Sequence, residues 1–251
     1  MSKIRHLPSA PTHSQRRAAG DVIDRHHHDN HQLVYVSTGV IAVGTAEGAW
    51  VASADRGVWI PAGTWHEHRF YGASEFHSVA FPAARAPLPA DSPAVVAVGP
   101  LLRELLVACT DPTLGEAEVR RVRAVINDQL RRAHVRPVTL PTARDPRLAA
   151  ACELTEQDLA RPLSLAGLAA RVGAGERTLA RLFRDEFGLT YPQWRTNLRL
   201  YYAMIALAGG ATVTETAHDC GWSTPSAFID VFRRSMGQTP GTYQSRSNAR
   251  T

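Results

Sequence analysis

Two sets of side chains in this 251-residue chain could do recognition chemistry. The first is arginine. Arg177 and Arg181 are four residues apart, so a helix stacks them one above the other on one face, with Thr178 beside them. A guanidinium grips the edge of guanine through two parallel hydrogen bonds, worth ~1–3 kcal/mol of discrimination. Arg184 suits a phosphate contact. The second set is imidazole, in the blocks His26-His27-His28 and His66-Glu67-His68. Neutral imidazoles suit nickel, zinc, cobalt or iron. They serve equally as hydrogen-bond partners for a small organic effector.

The arginines belong to a pattern that occurs twice. The first copy runs Ser164–Gly173 and then Gly175–Gly188; the second runs Val213–Trp222 and then Thr224–Gly237. In each, a short helix places an alanine (Ala169, Ala217) where a second helix must cross closely. An apolar residue and a glycine (Val172-Gly173, Cys220-Gly221) end it, because glycine tolerates the left-handed turn. The second helices carry apolar residues at helical spacing: Leu179, Leu182, Phe183 and Phe187 in one, Phe228, Ile229, Phe232 and Met236 in the other. Pro225 fits a first helical turn, and Gly188 and Gly237 stop the helices. A helix from Pro192 to Ala208 joins the copies. At ~1.5 Å per residue it spans roughly 25 Å, a scale that suits two helices in successive major-groove faces about 34 Å apart.

This tandem resembles the DNA-binding domain of the AraC/XylS family of transcriptional regulators. The residues that carry the likeness are Ala217, Gly221-Trp222, Ser226-Ala227-Phe228, Phe232-Arg233-Arg234, Gly237, Thr239-Pro240 and Tyr243, and it covers about residues 146 to 246. The resemblance implies a sequence-specific regulator, activator or repressor, that binds double-stranded DNA at a promoter or operator, and that engages RNA polymerase if it activates. The DNA-binding candidates are Arg177, Thr178, Arg181 and Arg184 in the first copy and Thr224, Ser226, Ala227, Asp230, Arg233 and Arg234 in the second. Thr224, Ser226 and Ala227 lie at a helix N-terminus, where free amides favour phosphate. Asp230 stands where relatives often carry a long polar or basic residue; a carboxylate there repels phosphate but accepts from cytosine. The first helix is therefore expected to dominate discrimination.

Ahead of this domain the pattern is β-like from Asp21 to about Ala83. Leu33–Val36 and Val40–Val43 flank a turn signal, Ser37-Thr38-Gly39, and Trp50–Ala52, Val58–Ile60 and His77–Phe81 read as further strands. Many short strands suggest a small barrel or jelly roll. His26-x-His28-x3-Gln32-x6-Gly39 and Pro61-x-Gly63-x2-His66 follow the two cupin motifs, so the segment resembles the cupin sensor domain of many AraC-type regulators. That likeness implies an effector or metal site of His26, His28, Gln32 and His66, although metal-binding cupins usually carry Glu where Gln32 stands, and Phe70 replaces a frequent Asn. The block His26–His28, with Trp59–Gly63 and His66–His68, is also similar to a subgroup containing a nickel-responsive repressor of a nickel exporter. The implied cofactor is a divalent transition metal, nickel or zinc. His27, His31 and His68 are expected to alternate outward. The alternative from another class is a cupin metalloenzyme, a dioxygenase or isomerase, but no catalytic acid–base pair stands out and the chain is read as a non-enzyme.

The expected fold class is α+β: an N-terminal β-barrel of cupin or jelly-roll type, a helical dimerisation segment, and an all-α tandem helix-turn-helix domain. The boundaries are a poorly ordered arm (1–20), the sensor (21–90), the helical segment (91–135), a Pro-containing linker (136–144) and the DNA-binding domain (145–246). In the helical segment Leu101, Leu102, Leu105, Leu106 and Cys109 form one stripe, and Val119, Val122, Val125, Ile126 and Leu130 another. The family resemblance implies a homodimer through these helices; packing against the barrel is the other reading. The formal charge of +5 permits an anionic partner without demanding one. Twelve arginines against nine acidic residues beyond position 145 make the surplus in the DNA-binding domain modest, so DNA binding rests on the motif. Three widely spaced cysteines, Cys109, Cys152 and Cys220, fit reduced thiols in a cytoplasmic protein. No run has the length of a membrane span, and residues 1–20 lack an apolar signal core.

Overall fold

A computed structural model describes residues 4–88, 91–133, 139–161 and 163–248. The chain divides into two compact units, the first built on residues 1–138 and the second on Thr139–Gln244.

The first unit holds strands β1 (Arg5–Leu7), β2 (His13–Arg17), β3 (Val22–His28), β4 (His31–Thr45), β5 (Gly48–Ala52), β6 (Arg56–Ile60), β7 (His66–Phe81) and β8 (Ala94–Ala97), followed by helices α1 (Pro100–Cys109) and α2 (Glu116–Arg131). The antiparallel pair β4–β7 is its spine, in register from His31↔Phe81 to Thr45↔His66. β4 pairs with β6 near its start, Gln32↔Ile60 to Tyr35↔Gly57, and with β5 near its end, Ile41↔Ala52 to Gly44↔Ala49. β3 and β2 pair with opposite ends of β7, β1 lies parallel to β3, and β8 extends β6. Among the described residues this path of strands does not return on itself, so the expected sheet-rich, cupin-like unit is present but its sheet is not closed into a barrel.

Burial explains the unbroken apolar run that opens β4. Val34 and Val36 turn to one face, packing with Ile41, Val43, Phe70 and Phe76. Leu33 and Tyr35 turn to the other, beneath Leu102, Leu106, Ile126 and Leu130 of α1 and α2. A strand covered on both faces is apolar at every position rather than at alternate ones. The helical stripes pack on the sheet, while Leu101 (54 % exposed) and Val125 (40 %) remain outside that core.

Two expectations need correction. Residues 5–7 and 13–17 of the supposed arm are strands of the sheet, held by β3 and β7 and by Ser78 Oγ donating to the Pro11 carbonyl. Their polar composition suits edge strands that leave one face to water. The turn signal Ser37-Thr38-Gly39 does not reverse the chain. β4 runs through it, with register shifts between Val36 and Val40 and Gly39 at φ +76°. A Cβ at Gly39 would meet Ser74 Oγ and the Ala73 carbonyl, so glycine lets a bulge close against β7. Of the expected linker, residues 136–138 lie outside the described residues, and Thr139–Pro141 is extended as β9.

The second unit contains α3 (Pro146–Gln157), α4 (Leu165–Arg171), α5 (Glu176–Phe187), α6 (Tyr191–Ala208), α7 (Val213–Asp219), α8 (Pro225–Met236) and the start of α9 (Pro240–Asn248). Ser164, Thr212 and Thr224 cap α4, α7 and α8 through their hydroxyls, and Gly188 and Gly237 end α5 and α8 in the left-handed region. Helix α6 serves both halves. Tyr191, Trp194 and Leu198 pack with Leu168, Leu179 and Phe183 of the first, and Ala203, Met204 and Leu207 are buried further along. Among the described residues no helix is long and apolar enough to cross a membrane.

Candidate functional site

In the first unit β3 and β7 bring imidazoles together. His26 faces His66 across the two strands. Ligand-capable nitrogens of His26, His66 and His68 all lie within 4.8 Å of one another, and all three side chains are buried. His28 completes the group, its ring centroid 4.8 Å from that of His26 and 5.2 Å from that of His66. Two members are aimed by the backbone two residues before them: the Nδ1 of His26 lies 2.7 Å from the Asp24 carbonyl, and that of His66 lies 2.9 Å from the Thr64 carbonyl. A carbonyl only accepts, so each Nδ1 carries the proton and each Nε2 presents a lone pair. The Nε2 of His66 and both ring nitrogens of His68 are buried without a hydrogen-bond partner among the described residues. Neither nitrogen of His28 makes a hydrogen bond of ordinary geometry, with only a loose approach to the Leu7 backbone.

Burial keeps these rings neutral. Desolvation, with smaller repulsion among the histidines, pushes His28 down to about 4 and His66 down to about 3; it lowers His26 as well and holds His68 far below the ordinary value. The neutral imidazoles of His26, His66 and His68, with His28 beside them, are a nitrogen donor set, the chemistry a borderline-soft divalent cation requires. Buried unpaired polar atoms otherwise cost stability, so the arrangement fits a metal.

The structure differs from the sequence-derived set at two residues. His68 faces inward, because positions 66 and 68 of one strand share a face. That two-residue period is the signal that could have found it. Gln32 makes no hydrogen bond to the imidazoles among the described residues. Its Nε2 donates to Ser78 Oγ at 2.9 Å. His27 stacks on His6, and His31 accepts from the Ala62 amide and stacks on Trp59, both apart from the cluster.

In the second unit the arginines of α5 share an outer face. Arg177, Arg181 and Arg184 are exposed and Thr178 is half-buried, while Leu179 and Phe183 point into the core. With Ala180 and Asp185 they line a shallow concavity. The Asp185 carboxylate is 3.9 Å from Arg181 Nε, but both side chains are solvated, so the pair holds Arg181 only weakly. Helix α8 is arranged differently. Its first helical residue, Pro225, has no amide, and Thr224 Oγ1 already accepts from the Ala227 amide at 3.1 Å. The free amides expected at this N-terminus are thus reduced chiefly to that of Ser226. Asp230 is exposed with Arg233 at 3.6 Å, and Arg234 Nε donates to the Asp230 carbonyl. These contacts draw Arg233 and Arg234 toward their own helix.

The family model described as "AraC-like ligand binding domain" matches residues 10–117, and that described as "Helix-turn-helix domain" matches residues 168–246. The HTH-type transcriptional regulator NimR of Escherichia coli (strain K12) is 30 % identical over 224 residues, which cover 88 % of this chain and 82 % of NimR. Among solved structures, an AraC-type transcriptional regulator from Chromobacterium violaceum is 28 % identical over 42 % of this chain and 96 % of its own, with a TM-score of 0.39. The DNA-binding domain of the global transcriptional factor AdpA, in complex with a target DNA, is 31 % identical over 41 % of this chain and 94 % of its own, also with a TM-score of 0.39.

Proposed function

This chain belongs to the AraC family of DNA-binding transcriptional regulators, and from that premise we propose that its first unit senses a divalent transition metal, nickel foremost, through His26, His28, His66 and His68. The observation that carries the reading is the trio His26, His66 and His68, buried with ligand-capable nitrogens within 4.8 Å of one another, where the Nε2 of His66 and both nitrogens of His68 have no hydrogen-bond partner among the described residues. Among the described residues no carboxylate or thiolate belongs to the cluster, so the donors favour nickel, cobalt, zinc or copper over magnesium, calcium or manganese. A bound ion would supply coordination alone, held by His26 and His28 of β3 and His66 and His68 of β7. The protein acts by binding rather than turnover, in the cytoplasm.

Transmission starts from β7. The far end of that strand, Val79 and Phe81, lies under α1 and α2, and His77 on it meets Thr110 at the end of α1, Nδ1 to Oγ1 2.8 Å. Tightening β3 against β7 biases the platform on which the helices rest. The exposed Leu101 and Val125 are the apolar residues we assign to a homodimer contact. In the second unit α5 reads bases through Arg177 and Arg181, with Thr178 beside them and Arg184 on phosphate. Helix α8, through Thr224, Ser226, Ala227, Asp230, Arg233 and Arg234, contacts a second element and discriminates less strongly than α5. An activating role would add RNA polymerase as a partner.

The test is a calorimetric titration of nickel, then zinc and cobalt, into metal-free protein, beside a His66→Ala variant. Tight binding of one ion per subunit, abolished in the variant, supports the reading. Absent binding, or binding that the substitution leaves unchanged, discards it and turns the search to a small organic effector.

A further inference from the structure

Helix α6 carries two arginines one turn apart, Arg195 and Arg199, that do not face solvent as the arginines of α5 do. Both are half-buried, and both donate to backbone carbonyls at the junction of the two helix-turn-helix halves. An NH2 of Arg195 reaches the Leu159 carbonyl at 2.9 Å and the Arg161 carbonyl at 3.4 Å, in the connection that leads from α3 into the first half. Arg199 Nε donates to the Cys220 carbonyl, in the turn between α7 and α8 of the second half. Its guanidinium lies 3.8 Å from the centroid of the Trp222 ring, a cation–π contact that fixes the plane of the fork.

The two connections also touch each other. Gly221, at φ +78°, approaches so closely that a Cβ there would lie 2.4 Å from the Leu159 carbonyl oxygen and 3.0 Å from Ala160 Cα. Three elements therefore meet at one point: the α3–α4 connection, the α7–α8 turn and the middle of α6. The two cations hold that point through hydrogen bonds whose directions are fixed.

The arrangement is poor as a device for stability. Burial and the neighbouring Arg195 charge lower Arg199 to about 10, and Arg199 Nη2 and Arg195 Nε are buried without a hydrogen-bond partner among the described residues. An apolar side chain of similar length would avoid that desolvation. What it could not do is fix the angle between the two turns.

We infer that Arg199, with Arg195, is a positioning residue that sets the spacing between the two DNA elements the chain recognises, by fixing α8 relative to α5. This rests on both α5 and α8 entering the major groove. Inserting one base pair between the elements moves the second by ~3.4 Å and about a tenth of a turn, more than a side chain absorbs without losing hydrogen bonds. A rigid joint penalises that shift; a loose one tolerates it.

The experiment uses the full chain. An operator is first selected in vitro from random duplexes with the natural protein. Its two elements are then separated by spacers one and two base pairs longer and shorter, and affinities are measured by fluorescence anisotropy for the natural protein and for Arg199→Met. We expect the natural protein to lose about tenfold or more per base pair, which is about 1.4 kcal/mol. Arg199→Met flattens that profile to within about threefold while its affinity for the best spacing changes less. Circular dichroism checks the fold. If Arg199→Met does not fold, Arg199→Lys and Arg195→Met are judged by the same criterion. An unchanged profile in folded variants overturns the inference, as does the absence of any spacing preference in the natural protein. Binding that depends on only one element fails the two-groove reading instead, and is recognised by scrambling each element in turn.

Discussion

Gly173 and Gly221 hold the same place in the two helix-turn-helix copies, and both adopt the left-handed region, φ +65° and +78°. Substituting each with alanine separates backbone strain from packing. At Gly173 nothing lies within 4 Å of the added Cβ. Its cost is the left-handed penalty of ~1–2 kcal/mol, less the ~0.4–1 kcal/mol gained by restricting the unfolded chain, or about 1 kcal/mol net. At Gly221 the same Cβ would sit 2.4 Å from a backbone carbonyl oxygen that has no rotamer to escape through. Adding an overpacking cost of ~1–3 kcal/mol brings Gly221→Ala to about 2–4 kcal/mol. Equilibrium urea unfolding followed by circular dichroism, with the m-value held constant, measures both. Gly221→Ala should lie at least about 1 kcal/mol below Gly173→Ala, well outside extrapolation error when midpoints are compared. Equal losses would refute the claim that the second turn is closely packed and the first open. A larger loss at Gly173 would invert it.

Three further outcomes are expected. Gln32→Ala should leave metal affinity within about threefold, a change under 1 kcal/mol, whereas His68→Ala should lower it by tenfold or more, in the same calorimetric titration; a strong effect of Gln32 alone would restore it to the ligand set. Arg181→Ala should weaken specific DNA binding by ~1–3 kcal/mol and Ser226→Ala by less, with equal losses in a binding titration counting against the dominance of α5. His77 is buried between Ser37 and Thr110, and desolvation lowers its titration point, against an opposing pull from Glu75 and alongside Arg103 and His13. Because the folded state binds the proton less well than the unfolded one, its contribution is intact above the unfolded value of 6.5 and is lost as pH falls below it. A His77→Gln variant should therefore show a shallower loss of stability between neutral and mildly acid pH in urea titrations of metal-free protein; a parallel pH profile would show that His77 carries none of it.

Local chemistry made the second unit legible. Side-chain caps announce α3, α4, α7 and α8, a glycine follows each of α4 to α8, and the apolar period of 3.6 is readable within a dozen residues, so Leu179, Phe183, Phe228 and Phe232 are recognisable as core from spacing alone. The first unit depends on partners distant in sequence. Whether Ser37-Thr38-Gly39 turns or bulges is decided by β7, some 35 residues on, and whether residues 5–17 are ordered is decided by β3 and β7. The histidine set was half visible. The cupin spacing pointed to His26, His28 and His66 but carried Gln32 with them, and the period of a strand, applied consistently, would have exchanged that residue for His68. The junction at Arg199 left no trace in the sequence, since nothing in a helical pattern distinguishes an arginine that bonds a distant turn from one in water.

The hydrogen bonds that aim His26 and His66 have a consequence of their own. Each runs from a ring nitrogen to a carbonyl two residues earlier in the chain. The bearing of each donor is thus written into a three-residue segment, and only the distance between donors depends on how the strands pair. A site built this way can be retuned in evolution through two separate handles. Sliding or bulging β3 against β7 would alter the separation of the rings and hence what they could hold between them, while the bearing of each ring is inherited intact.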